Sequence, residues 1–188
     1  MLKISGFTFL VAVLLFATTK TAWAYPENSL YNLPLKWKDA NGKESALSES
    51  AGQPLILTMA YTGCKGACPI TVERLRRVEE ALAKDGLTAR IALVSLDPAH
   101  DSPETLAHFK TSHAIDRANW SLLRGSEADT RKLSVLIGFS YKPDPETKEI
   151  LHSNKLLLLD AQGEIAYSLE GLNADTADLV ERYKKLAR

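Results

Sequence analysis

The chain has 188 residues, with 23 basic and 23 acidic side chains and 45 % hydrophobic residues. That balance excludes a disordered polyelectrolyte, and the lack of a basic block or of aromatic-basic interleaving excludes nucleic acid as an expected partner. Only two cysteines occur, Cys64 and Cys68, so any thiol chemistry must happen in one short run.

The first 24 residues have the form of an export signal. Lys3 gives a positive start, Phe7 to Ala17 is apolar, and Ala22-Trp23-Ala24 fits the small-x-small cleavage pattern. The mature chain is therefore expected to begin at Tyr25, in the periplasm. A retained membrane anchor facing the periplasm is the alternative, but only the sixteen residues Ile4 to Thr19 separate Lys3 from Lys20, against about 20 needed to span a bilayer. No cysteine follows the apolar run to take a lipid. Residues 25–188 contain no repeat, low-complexity tract or linker, and they suit a single domain with its own core.

The expected elements follow in chain order. Leu33 to Lys38 and Glu44 to Leu47 flank Asp39-Ala40-Asn41-Gly42, which predicts an N-terminal hairpin. Pro54 to Tyr61 is an apolar run of buried-strand length. Pro69 is placed to open a helix whose stripe of Val72, Leu75, Val78 and Leu82 ends at Gly86. Arg90 to Leu96 is a second buried strand, and Ser102-Pro103-Glu104 opens the next helix. Trp120 to Leu123 is a short strand, and Ser126 caps a helix to about Ile137, where Gly138 stops it. Lys155 to Leu159 and Glu164 to Leu169 form a late hairpin around Asp160-Ala161-Gln162-Gly163. A closing helix from about Ala174 to Leu186 puts Leu179, Val180, Tyr183 and Leu186 on one face. This is an α/β order with helices on both faces of a sheet, and it is thioredoxin-like, with an N-terminal hairpin extension.

On that frame the cysteines stand just past the end of a strand and at the start of a helix. Function gathers at such strand ends in open α/β sheets. The helix N-terminus and, more weakly, Lys65 favour thiolate, the form that attacks disulfides and binds metal. An ordinary structural disulfide is the bland alternative in an oxidising compartment. As a staple it is poorly placed, since so small a ring is worth only about 2 kcal/mol of loop-closure entropy. Three residues separate the cysteines, where redox pairs of the thioredoxin type have two, and the wider spacing lets both sulfurs reach one ion. Two thiolates suit Cu(I), Zn(II) or Cu(II), and a third ligand must come from elsewhere.

Four histidines could supply it. His108 and His113 fall on or at the end of a polar helix and read as solvated. His100 lies in the loop Asp97-Pro98-Ala99-His100-Asp101, which leaves a strand end and could approach the cysteines. His152 directly precedes the strand Lys155 to Leu159, where a thioredoxin-like fold brings its late hairpin against the cysteine loop. Geometry puts His152 only slightly ahead of His100, and a surface-turn role for His152 stays open.

Tyr61-Thr62-Gly63-Cys64-Lys65-Gly66-Ala67-Cys68-Pro69 resembles the cysteine motif of the Sco/SenC family. Further matching blocks are Val94 to Pro98 with Asp101 to Glu104, Trp120 to Gly125, and His152-Ser153 ahead of the strand that ends in Asp160 to Gly163. The resemblance runs in order from about Leu30 to the end of the chain. It implies a thioredoxin-like copper protein, exported or membrane-anchored, involved in assembling cytochrome c oxidase, with Cys64, Cys68 and His152 as copper ligands. Asp97 matches an acidic position beside the site, or simply caps an Asp-Pro turn. Two positions depart from the pattern. Leu151 stands where many members carry an acidic residue, and Lys65 where many carry proline.

The resemblance implies a metallochaperone that holds Cu(I) or Cu(II) and delivers it to, or prepares, the dinuclear copper site of the oxidase or a related copper enzyme. The expected partners are that enzyme's copper-site subunit and, further off, a second copper carrier or a thiol reductant. The rival reading is a thiol-disulfide oxidoreductase cycling Cys64 and Cys68 on a copper-site partner, with His152 only tuning them. Peroxide reduction has the general frame alone in its favour.

Overall fold

The computed structural model describes residues 25–147 and 149–188, so the expected signal segment lies outside the described residues. After a 3-10 turn at Leu30–Asn32, strands β1 (Trp37–Lys38) and β2 (Glu44–Ser45) pair antiparallel, Trp37 opposite Ser45. The Asp39 carboxylate accepts from the N–H groups of Asn41 and Lys43, and Gly42 takes the left-handed φ of 76° that closes the turn. The ladder is shorter than expected, because Leu33 to Lys36 lie before it and Leu47 already belongs to a second 3-10 turn, Leu47–Ser50.

The frame is a five-stranded sheet in the order β5-β4-β3-β8-β9. Its strands are β3 (Leu55–Ala60), β4 (Arg90–Ser95), β5 (Trp120–Leu123), β8 (Lys155–Leu159) and β9 (Ile165–Glu170). The first three run parallel, β8 is antiparallel to β3, and β9 is antiparallel to β8. All six residues of β3 are buried, and successive side chains of a strand point to opposite faces, so both faces of the sheet are covered. That is why the run from Pro54 is mainly apolar rather than alternating, its one hydroxyl within β3, on Thr58, donating to the Lys155 carbonyl.

Helix α1 (Ala67–Ala83) connects β3 to β4, and its stripe Val72, Leu75, Val78 and Leu82 is fully buried. It starts two residues before Pro69, the expected first residue. The first turn has no intrahelical use for its N–H groups, so proline is tolerated beyond the first position, and Cys68 becomes a helical residue. Helices α2 (Pro103–Ser112) and α3 (Glu127–Leu136) are each capped by the expected serine: Ser102 accepts from the Thr105 N–H and Ser126 from the Asp129 N–H.

Helix α4 (Ala177–Leu186) packs against α1 through Leu179, Val180 and Tyr183. It starts later than expected because the backbone at Ala174 is engaged elsewhere: its N–H donates to the Gly171 carbonyl and its carbonyl accepts from Arg74. Leu186, expected on the apolar face, is exposed at the frayed end.

One element was not anticipated. Between α3 and β8 the chain forms a small antiparallel hairpin, β6 (Tyr141–Pro143) with β7 (Ile150–His152), which joins neither of the other sheets.

Candidate metal centre

The sheet delivers the two cysteines. Tyr61 ends the buried run of β3, the Cys64 N–H donates back to the Tyr61 carbonyl, and the turn then opens α1 at Ala67. Cys64 is half-buried, whereas Cys68 in the first helical turn is buried. The Cys68 N–H, one of the helix's unpartnered donors, points at the Cys64 sulfur at 3.3 Å. Burying this loop requires a polar anchor, and Asp101 supplies it. Its carboxylate accepts from the N–H of Thr62 at 3.0 Å, from the Thr62 hydroxyl at 2.6 Å and from the Ser95 hydroxyl. Burial raises the Asp101 pKa, and those three donors hold it down.

The hairpin delivers the imidazole. His152 ends β7, and its ring lies between Phe139, stacked at 5.8 Å between centroids, and Tyr61, edge-on at 6.0 Å. Its Nδ1 is 2.8 Å from the Ser153 carbonyl. A carbonyl can only accept, so Nδ1 carries the proton and Nε2 is the atom free to bind a metal.

The ligand atoms of Cys64, Cys68 and His152 all lie within 4.8 Å of one another. Three donors bound to one ion at about 2.0–2.3 Å stand roughly 3.3–4.0 Å apart, so one ion is reached when the ligands close by no more than about 1.5 Å. Two sulfurs and one imidazole form a soft to borderline set, suited to copper or zinc.

Electrostatics separates the two thiols. The hydrogen bond from the Cys68 side chain, more than any other influence, lowers the Cys64 pKa to about 4; the N–H groups of Cys68 and Gly66 help, and burial opposes. The same hydrogen bond, followed by burial, pushes Cys68 up. In the metal-free protein one proton is thus shared by the pair and rests on Cys68, while Cys64 is the thiolate.

The other candidates from the sequence stand apart. His100 is 82 % exposed, with Nδ1 2.8 and 2.9 Å from the two carboxylate oxygens of Asp97, and it does not join the cluster. Asp97 closes its turn through the backbone, its carbonyl accepting from the N–H groups of His100 and Asp101, while its carboxylate is occupied by the His100 ring. His108 is exposed on α2, as expected. His113 differs from expectation, because its ring stacks on Phe109 at 4.0 Å instead of extending into solvent. Leu151 is 59 % exposed and Lys65 is exposed, so neither departure from the family pattern intrudes on the three ligand atoms.

Sequence reasoning missed the roles of Tyr61 and Phe139. A tyrosine closing a buried strand must find a partner for its hydroxyl, which is the one signal that pointed to Tyr61.

Residues 24–188 match the family model described as SCO1/SenC. A protein of Stutzerimonas stutzeri, whose name is that of a candidate copper-binding protein, is 29 % identical over 135 residues, or 70 % of this chain; the chain spans 65 % of that relative's length. Among solved structures, a SCO1/SenC family lipoprotein from Bacillus anthracis has a TM-score of 0.76 at 24 % identity, covering 88 % of this chain and all of the other. ScoI of Bradyrhizobium japonicum with copper bound has a TM-score of 0.68 at 24 % identity, covering 82 % of this chain and 98 % of the other. At these identities the structural likeness speaks for the fold.

Proposed function

The chain belongs to the SCO1/SenC family, and we propose that it is an exported copper-binding protein that delivers copper to, or prepares, the dinuclear copper site of cytochrome c oxidase or a related copper enzyme. The observation that carries this reading is the convergence of two sulfurs and one imidazole nitrogen within 4.8 Å. The thiolates of Cys64 and Cys68 favour Cu(I), and Nε2 of His152 extends the site to Cu(II). Three protein ligands leave room for a donor from the recipient, which transfer by ligand exchange requires. Copper is favoured over zinc by the relatives, one named for copper binding and one carrying the metal.

The chain's own residues do the preparatory work. Asp101 holds the cysteine loop through Thr62, Ser153 fixes the tautomer of His152, and the Cys68 N–H stabilises the Cys64 thiolate before any metal arrives. Residues 1–24 act as a cleaved export signal, and residues 25–188 work as one domain in the periplasm. The membrane is met only through a partner or an uncleaved N-terminus. Partners are the copper-site subunit and a second copper carrier or thiol reductant.

A second reading has its own observation, the unequal thiols. Cys64 as thiolate can attack a partner disulfide, releasing one partner thiolate and forming a mixed disulfide. Cys68, once deprotonated, then closes the Cys64–Cys68 disulfide and expels the second partner thiolate, so two electrons pass to the partner.

Dialysis of copper-loaded, reduced protein against a moderate chelator tests the first reading. Retention of one copper per chain is expected, and a protein that keeps no stoichiometric copper would overturn it. Exchange with a partner's disulfide tests the second.

A further inference from the structure

Strands β6 and β7 carry the third ligand, yet they are hydrogen-bonded to neither of the other sheets. Their ladder pairs Lys142 with Leu151, flanked by bonds from the Asp144 N–H to the Glu149 carbonyl and from the Ser153 N–H to the Ser140 carbonyl. In an antiparallel pair, bonded positions alternate with unbonded ones. The backbone of Ile150 therefore faces outward, with its N–H available to something other than β6.

That N–H donates to the Tyr61 hydroxyl at 3.1 Å, across 89 residues of sequence. Among the described residues it is the one hydrogen bond that ties the backbone of β6 and β7 to the rest of the chain. Packing adds Tyr141 and Ile150, both partly buried against the core. An open groove of about 750 Å³ lies beside the hairpin, bordered by its Tyr141, Pro143 and Ile150 and by Asp97 and Arg131.

Tyr61 is itself a fixed point. It is 6 % exposed at the end of β3, and its ring meets the His152 ring edge-on. One side chain therefore contacts the ligand ring and latches the ligand's strand two residues away, while its backbone carbonyl holds the Cys64 N–H.

We propose that Tyr61 is the positioning residue of the metal centre, its hydroxyl latching the β6–β7 hairpin so that His152 stands at the distance the two sulfurs require. This rests on the copper-binding reading. The cysteines are held by β3 and α1, and the Tyr61 hydroxyl also meets the Cys64 side chain; the latch on the hairpin acts on the imidazole, and hence on Cu(II) more than Cu(I).

Tyr61→Phe removes the oxygen and keeps the ring. In metal-free protein, amide exchange across residues 141–152 should rise about tenfold, as for loss of one buried hydrogen bond, while the peptides of β3, β4 and β8 stay unchanged. In loaded protein, Cu(II) affinity should fall about tenfold, with an altered Cu(II) resonance spectrum, and Cu(I) affinity by less than about threefold. Unchanged exchange in the hairpin would overturn the latch. An unchanged Cu(II) spectrum and affinity in a variant of a copper-retaining wild type would overturn its role at the site alone. Wild-type protein that holds no copper would instead remove the reading beneath it.

Discussion

Cys64 and Cys68 follow a strand buried along its whole length and enter a helix with a buried stripe, whereas His152 ends a three-residue strand in a hairpin apart from the main sheet. The difference assigns the ligands unequal mechanical standing. The sulfurs are positioned by the strand before them and the helix they enter. An imidazole carried on a small hairpin outside the main sheet is held by less: the rings of Phe139 and Tyr61 and one hydrogen bond to its strand. A carrier that must hold copper and then surrender it benefits from such a division, because the ligand easiest to release is the one mounted most lightly.

The sharpest way to break this comparison is to remove a ligand on the rigid side. Cys68→Ser should lower Cu(I) affinity by more than the roughly 10–100-fold that losing an outer-sphere partner costs, measured by competition with a chromogenic chelator. A smaller loss would mean that the sulfurs do not dominate.

Stability should divide along the same line. Leu158 is fully buried in β8 opposite Ile56, and Leu158→Ala should cost about 2–5 kcal/mol in denaturant unfolding. Leu151, next to His152 but 59 % exposed, should cost no more than about 0.5 kcal/mol when changed to alanine. Comparable losses at the two sites would show that the hairpin is part of the cooperative frame.

The subtlest effect is in pH. The Cys64 pKa lies at about 4, so its thiolate persists as pH falls and is lost only near that value. Alkylation of reduced, metal-free protein by iodoacetamide at Cys64 should hold a nearly constant rate from about pH 8 to pH 5. An ordinary thiol, with a pKa of about 8.5, would slow about tenfold for each pH unit below it. A profile of the ordinary kind would remove the proton-sharing between the two sulfurs.

The half of the site built on the main sheet was legible in the chain and the hairpin half much less so. A run of six residues from Leu55, five of them apolar, a cysteine pair and a nearby proline mark strand, loop and helix through local signals that burial then confirms. The β6–β7 hairpin has three-residue strands, one containing Pro143, and is too short for an alternation of period two to register. The approach of His152 to the cysteines was accordingly weakly marked, and its preference over His100 rested on a slight advantage of position and on the family resemblance. His100 was a reasonable rival by position, but Asp97 three residues earlier takes its ring. The Tyr61 to Ile150 bond spans 89 residues, and no local pattern encodes it.

The central claim is that two frame-held sulfurs and one hairpin-held imidazole bind a single copper ion. Electron paramagnetic resonance of Cu(II)-loaded wild type and His152→Ala, at equal protein and copper, tests it most directly. Wild type should show one copper per chain with nitrogen coupling from a single imidazole, and His152→Ala should lose that coupling while its thiols still bind Cu(I). Identical spectra from the two proteins would contradict it.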